Sequence, residues 1–238
     1  MTDNNVFSCQ QCSTVWSKTG KTFCTSPEGA LPQPAHCPAA ESGVIDEAFQ
    51  HYVGTGDDAR LAQVAARVEG MGCQANPDEG YVTTRWTRVE ETIAFAKLMG
   101  FHTIGIATCL GLLLETEQLV KILKAQGFDV VTVCCKAGGH DKRDLGLAES
   151  DKVRPEHFEA ACHPIAQAEL LNRSASEMNI LVGLCVGHDM LFNKYSKVPV
   201  TTLVAKDRVT GHNPASVLYG QNFCYKRLQK TALDIPTT

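Results

Sequence analysis

The chain has 238 residues, 44% of them hydrophobic and 20% charged, with a net charge of -4, so it carries enough apolar material for a sizeable core. The acidic balance and the lack of a basic stripe exclude nucleic acid as the main partner. No run approaches the ~20 apolar residues that span a bilayer, and Met1-Thr2-Asp3-Asn4-Asn5 has neither the charged nor the apolar region of a signal peptide, so a cytoplasmic protein with no membrane contact is expected.

Eleven cysteines are many for such a chain, and an odd count fits poorly with a closed disulfide framework, so metal ligation or thiol chemistry is the better explanation. Residues 6–40 hold four of the eleven cysteines and four of the ten prolines, with little apolar material to pack, and need a staple. Cys9-x2-Cys12 is a metal knuckle; Val15 to Phe23 reads as a hairpin turning at Thr19-Gly20; Cys24 and Cys37-Pro38 complete a possible four-thiolate site. The expected organisation is a Cys-rich metal-binding segment over 1–40, followed over 41–238 by a helical lead-in and an α/β domain.

From Ser42 to Gly100 the pattern is helical: Val44 to Val53, then Asp58 to Glu69 behind an Asp57 N-cap, then Arg85 to Leu98 capped by Thr84. Trp86, Val89, Ile93 and Ala96 recur at helical spacing and should lie on a sheet. Cys73, in the Gly72 to Gly80 loop, has no partner at ligand spacing.

The short β-branched run Thr103 to Ala107 breaks at Thr108-Cys109-Leu110-Gly111 into a helical pattern, and reads as a buried strand, tight turn and helix. A second buried strand, Phe128 to Val133, ends at Cys134-Cys135-Lys136. Strands joined by a helix should be parallel, which puts both cysteine positions on one sheet edge. Successive residues point to opposite faces, so at most one of Cys134 and Cys135 faces that edge; Cys135 is nearer the crevice. The polar stretch Ala137 to Ala161, with Pro155 suited to the first turn of a short helix, is a lid, a binding loop or a mobile excursion.

Cys162-His163-Pro164 opens a helix with apolar positions Ile165, Ala168, Leu171, Ala175 and Met178. A third strand, Ile180 to Leu184, leads to Cys185-Val186-Gly187-His188-Asp189 and a short helix through Phe192. A fourth, Val200 to Ala205, leads to Lys206-Asp207-Arg208 and Gly211-His212-Asn213-Pro214. Cys224, between Phe223 and Tyr225, reads as a core residue. The fold class is α/β: an open, Rossmann-like, mostly parallel sheet of about four or more strands with helices on both faces.

Ligands bind such sheets outside the carboxyl ends of the strands. Cys109, Cys162 and Cys185 each precede a helix, where free backbone amides favour a thiolate, and Cys135 is available as a fourth. Thiolates from several strand ends can cup a [4Fe-4S] cluster. With three ligands, the free iron would act as a Lewis acid on a sulfur-containing small molecule, with His188, Asp189, Lys206, Asp207 and Arg208 as catalytic groups. With Cys135 as the fourth ligand the cluster is closed, and the protein is an electron carrier serving a redox partner protein. His188 or His212 in the ligand set would suit zinc without catalysis. The cysteines Cys9, Cys12, Cys24 and Cys37 would hold a second cluster or zinc.

The knuckle with Cys37-Pro38, Gly105-Ile-Ala-Thr-Cys109, Cys135-Lys136, Cys162-His163-Pro164, Cys185-Val-Gly-His-Asp189, Lys206-Asp-Arg208 and His212-Asn-Pro214 together resemble the uncharacterised, predicted metal-binding family numbered eighteen forty-seven among domains of unknown function. That resemblance implies a metal protein of the kind found in anaerobes and no agreed reaction. In layout alone, three cysteines around an open sheet edge are similar to the iron-sulfur desulfidases that remove sulfur from thiouracil.

Overall fold

A computed structural model describes residues 7–11, 37–76 and 81–235, and the chain divides into two compact units, Met1–Arg67 and Val68–Thr238. In the first unit, Cys9 is exposed and opens a single 3-10 turn, Cys9–Gln11; the half-buried Cys37 precedes another, Pro38–Ala40. Cys12, Cys24 and the hairpin expected over Val15 to Phe23 lie outside the described residues. Helix α1, Ser42–Phe49, runs into a 3-10 turn, Gln50–Tyr52. Helix α2, Asp57–Gly72, begins with two acids, which complement the positive end of its dipole.

The second unit contains a two-stranded antiparallel hairpin, β1 (Cys73–Asn76) with β2 (Tyr81–Thr84), pairing Cys73 with Thr84. The sequence places a loop over Gly72 to Gly80 and a helix cap at Thr84. Thr84 is instead the last residue of a strand, and the helix starts three residues later than expected. The reason is local: the Thr87 side chain and Glu90 form a reciprocal capping box, which fixes α3 at Arg88–Met99. Gly100, at φ 77°, ends it in the left-handed conformation.

Four parallel strands follow: β3 (Thr103–Thr108); β4 (Asp129–Cys134), reached through a 3-10 turn and helix α4 (Leu113–Ala125); β5 (Met178–Val182), reached through α5 (Pro164–Arg173); and β6 (Val200–Val204), reached through α6 (His188–Tyr195). Their order is β4-β3-β5-β6, which puts β3 and β5 at the centre. Both are almost wholly buried, and their alternate residues feed two cores. On one face Ile104, Ile106, Ile180 and Val182 pack with Ala96 of α3 and Leu119 and Leu123 of α4. On the other, Ala107 and Leu181 pack with Ala168 and Leu171 of α5 and Phe192 of α6. The expected α/β sheet with helices on both faces is thus present.

Three details depart from the sequence reading. Helix α5 ends at Arg173, and Ala175 takes a positive φ of 56°, so Met178 begins a strand and does not continue the helical stripe. No helix forms around Pro155; Lys152 is buried and turns back to bond Glu149 and the His157 carbonyl, which holds that stretch in bends. Cys224 is exposed, because the chain beyond helix α7 (Ala215–Tyr219) leaves Phe223 at the surface and encloses no core there.

Strand β3 contains Gly105 because the buried Asn179 of β5 occupies its side-chain space: a Cβ on Gly105 would lie 2.0 Å from Asn179 Oδ1. Asn179 is held in place, accepting from Ser176 Oγ and donating to Ser196 Oγ, both at 2.9 Å. Gly105→Ala should therefore destabilise the domain by about 3 kcal/mol, the upper range for overpacking a rigid core. Urea unfolding monitored by circular dichroism reads this directly; a change near zero would show that Asn179 can move aside.

Candidate functional site

Hydrogen bonds that continue the sheet ladder past the strand ends bring the cysteine turns together. Cys109 N–H donates to the Val182 carbonyl at 3.0 Å, Cys135 N–H to the Thr108 carbonyl at 2.8 Å, and His163 N–H to the Cys135 carbonyl at 2.8 Å. The ends of β5, β3 and β4 and the start of α5 are thereby fixed side by side. Their sulfurs meet: the Cys135 thiol is buried between those of Cys109 and Cys162 and hydrogen-bonds to both.

This contact divides the three thiols into two kinds. Cys109 is lowered to about 4, first by the Cys135 hydrogen bond and then by Gly111 N–H and Lys206, against the opposing effect of burial. Cys162 is lowered to about 5, again first by Cys135, with Lys136 and the charge of His188 adding to it. Cys135 is pushed far up by its two anionic neighbours and by burial, although Leu110 N–H donates to its sulfur at 3.4 Å. One protonated thiol thus serves two thiolates.

Cys185 is half-buried and accepts from Arg208 Nη2 at 3.2 Å. The Cys185 sulfur, with the charges of Cys109 and Cys162 adding to it, raises the Arg208 guanidinium above its ordinary value. Lys206 and Arg208 come from the turn after β6. Asp207, between them, builds that turn: its Oδ1 accepts from Val209 N–H and Thr210 N–H at 3.0 Å each, and its own N–H donates to His212 Nδ1 at 3.1 Å. Its carboxylate is lowered by the Thr210 hydroxyl and these amides. Asp189 accepts from Met190 N–H at 2.8 Å. The two cations therefore reach the thiols, while the two carboxylates bond to their own backbone. Among the described residues, no three His, Cys, Asp or Glu side chains are gathered around a single metal-ion position. Cys134, half-buried, takes no part in the thiol contacts, and Cys9 and Cys37 lie in the other unit.

The long connection from Ala137 to Ala161 carries several internal ties. Asp141 bridges to Ala160, Lys142 pairs with Glu159 at 2.5 Å, and the buried Lys152 pairs with Glu149 at 3.0 Å. Lys136 donates to the Ala160 carbonyl, beside Cys162.

Two participants have no role assigned from the sequence. Lys136 directly follows Cys135, and that adjacency was its signal. Gln167 is fully buried and donates through Nε2 to the Thr108 carbonyl at 3.1 Å and the Val133 carbonyl at 2.7 Å, while its Oε1 has no partner. Two such bonds contribute about 2 kcal/mol together, and an orphaned buried acceptor costs about as much, so Gln167 adds little net stability. It shares the buried face of α5 with Pro164, Ala168 and Leu171, and its spacing from Ala168 and Leu171 is the one signal in the sequence for an interior polar residue.

Residues 37–203 match the model of a family described as "Protein of unknown function (DUF1847)". The chain belongs to that family. A relative, an uncharacterised protein of Methanocaldococcus jannaschii, is 48% identical over 173 residues, covering 73% of this chain and 82% of that protein. The match to DUF1847 includes Cys109, Cys135, Cys162 and Cys185 and ends before Lys206 and Arg208.

The division of thiols has a measurable consequence. Lowered values mean that Cys109 and Cys162 are already ionised at neutral pH, whereas an ordinary thiol gains about tenfold in thiolate per pH unit below its pKa. In metal-free protein, iodoacetamide should label Cys109 and Cys162 at rates that are nearly flat between about pH 6 and about pH 8. Peptide mass spectrometry resolves each site. A rise of about tenfold per unit at both would show that they are ordinary thiols.

Proposed function

We propose that the thiol edge binds a soft metal centre, best matched by an iron-sulfur cluster, held by Cys109, Cys135 and Cys162 with Cys185 as a fourth thiol. The observation that carries this reading is the burial of Cys135 between Cys109 and Cys162, which gathers thiols from three chain segments at the carboxyl edge of the sheet. An all-thiolate donor set is soft and selects iron-sulfur clusters, Zn(II) or Cu(I) over hard cations. The cations Lys136, Lys206 and Arg208 surround it, which suits an anionic centre whose charge is spread over many atoms. Such a cluster supplies electron storage when all its irons are bound by protein, and Lewis acidity when one is not.

The residues of the chain have distinct tasks in this reading. Leu110 N–H and Gly111 N–H hold the sulfurs of Cys135 and Cys109 from the backbone. Arg208 keeps Cys185 at the edge of the group, where it is half-exposed. That exposure supports an open side at Cys185, where a sulfur-containing small molecule would enter. His188, Lys206 and Arg208 would then orient it, with Asp189 and Asp207 holding the turns that carry them. Cys9, Cys12, Cys24 and Cys37 would hold a separate zinc or cluster.

Anaerobic reconstitution with iron and sulfide tests this. Cys9→Ser/Cys12→Ser protein, which isolates the sheet edge, should take up about four irons and about four sulfides. Cys109→Ser, Cys135→Ser and Cys162→Ser in that background should each lose the visible absorbance. Cys185→Ser decides between the two uses: retention of the cluster with an exchangeable ligand favours the open enzyme, and its loss favours a closed carrier. Absence of iron and sulfide in the parent, with the fold intact, would remove the iron-sulfur reading.

A further inference from the structure

The thiol edge is assembled from separate strands and a helix, and one interior side chain bonds across three of these pieces. Gln167 leaves α5 five residues after Cys162 and donates through a single Nε2 to the Thr108 carbonyl, next to Cys109, and to the Val133 carbonyl, two residues before Cys135. The Thr108 carbonyl is the one that also accepts from Cys135 N–H. Both partners are carbonyls, so the amide orientation is set: the nitrogen faces the strands and Oε1 faces away, buried and without a partner. A fully buried amide in an otherwise apolar helix face, with one end unsatisfied, is not explained by packing or by net stability. What it does is tie the start of α5 by a side chain to the ends of both β3 and β4, beside the backbone bond from His163 N–H to the Cys135 carbonyl.

We infer that Gln167 is a positioning residue of the thiol site, setting the approach of Cys162 to Cys135 and Cys109 by tying helix α5 to the last carbonyl of β3 and the penultimate carbonyl of β4. Gln167 touches no sulfur among its hydrogen-bond partners and acts only through the elements that carry them. Cys185 follows β5, which Gln167 does not bond, and it serves as the internal reference. The inference rests on the reading that the thiols form the functional centre, but not on which metal they hold.

The test is site-resolved alkylation of full-length, metal-free protein by iodoacetamide at neutral pH, comparing the native chain with Gln167→Met, which keeps the volume and removes both donors. Leu171→Ala, a cavity in the same helix face, controls for general loosening. The expected result is a fall of about fivefold in the rates at Cys109 and Cys162, as contact with the Cys135 thiol is lost, with Cys185 changed by less than about twofold. Leu171→Ala should shift all three rates together or none. Should Gln167→Met fail to fold, Gln167→Asn, whose amide is one methylene too short to span the two carbonyls, is read the same way. An unchanged ratio of Cys109 and Cys162 to Cys185, or a parallel change in all three, overturns the inference. If iron and sulfide uptake fails in the native chain while this selective fall is seen, the metal reading is lost and the positioning role stands.

Discussion

Parallel strands end in carbonyls and amides that the ladder no longer pairs, and a loop leaving such an edge is free to go in many directions. Here the ladder is prolonged by one bond at each of three turns: Cys109 N–H to Val182, Cys135 N–H to Thr108, and His163 N–H to Cys135. Each bond is worth only about 1 kcal/mol net, but each also removes a direction in which the cysteine could leave the edge. They act beside the Gln167 amide, which ties α5 to β3 and β4. The core supplies the stability, and these bonds supply the geometry.

The electrostatics follow from that convergence. Sulfurs forced together cannot all ionise, and the outcome depends on which has other help. Cys109 has Gly111 N–H and Lys206, Cys162 has Lys136 and His188, and Cys135 is the most buried of the three, so the proton stays on Cys135. On a chain of net charge -4, Lys206 and Arg208 come from one turn, which Asp207 shapes through its own backbone bonds. A carboxylate close to the cations in sequence is thus spent on the turn instead of neutralising the thiol edge.

Much of this was legible in the residues. Short β-branched runs ending in cysteine, each followed by a helical pattern, define parallel strands and put Cys109, Cys135 and Cys185 at one edge, because the side-chain period and the crossover rule leave few alternatives. Alternation leaves one of Cys134 and Cys135 for the edge, the place beside Lys136 and the glycine turn favours Cys135, and Cys135 is the buried partner. What was not legible depended on partners distant in sequence or on local competition. The capping box at Thr87 displaced a plausible cap at Thr84. The hairpin β1–β2 has four-residue strands, and every β2 side chain is exposed, so no apolar alternation announced it. Met178 fitted the helical stripe of α5 but begins β5, and the residue that fills the helix face is Gln167, whose purpose lies in two carbonyls on other strands.

The central claim is that the thiols of separate segments form one metal-binding centre at the carboxyl edge of the sheet. Anomalous diffraction at the iron edge, from crystals of anaerobically reconstituted protein, tests it most directly. The account predicts strong iron density in contact with the sulfurs of Cys109, Cys135 and Cys162. Iron found only at the amino-terminal cysteines, with those three sulfurs free, would contradict it.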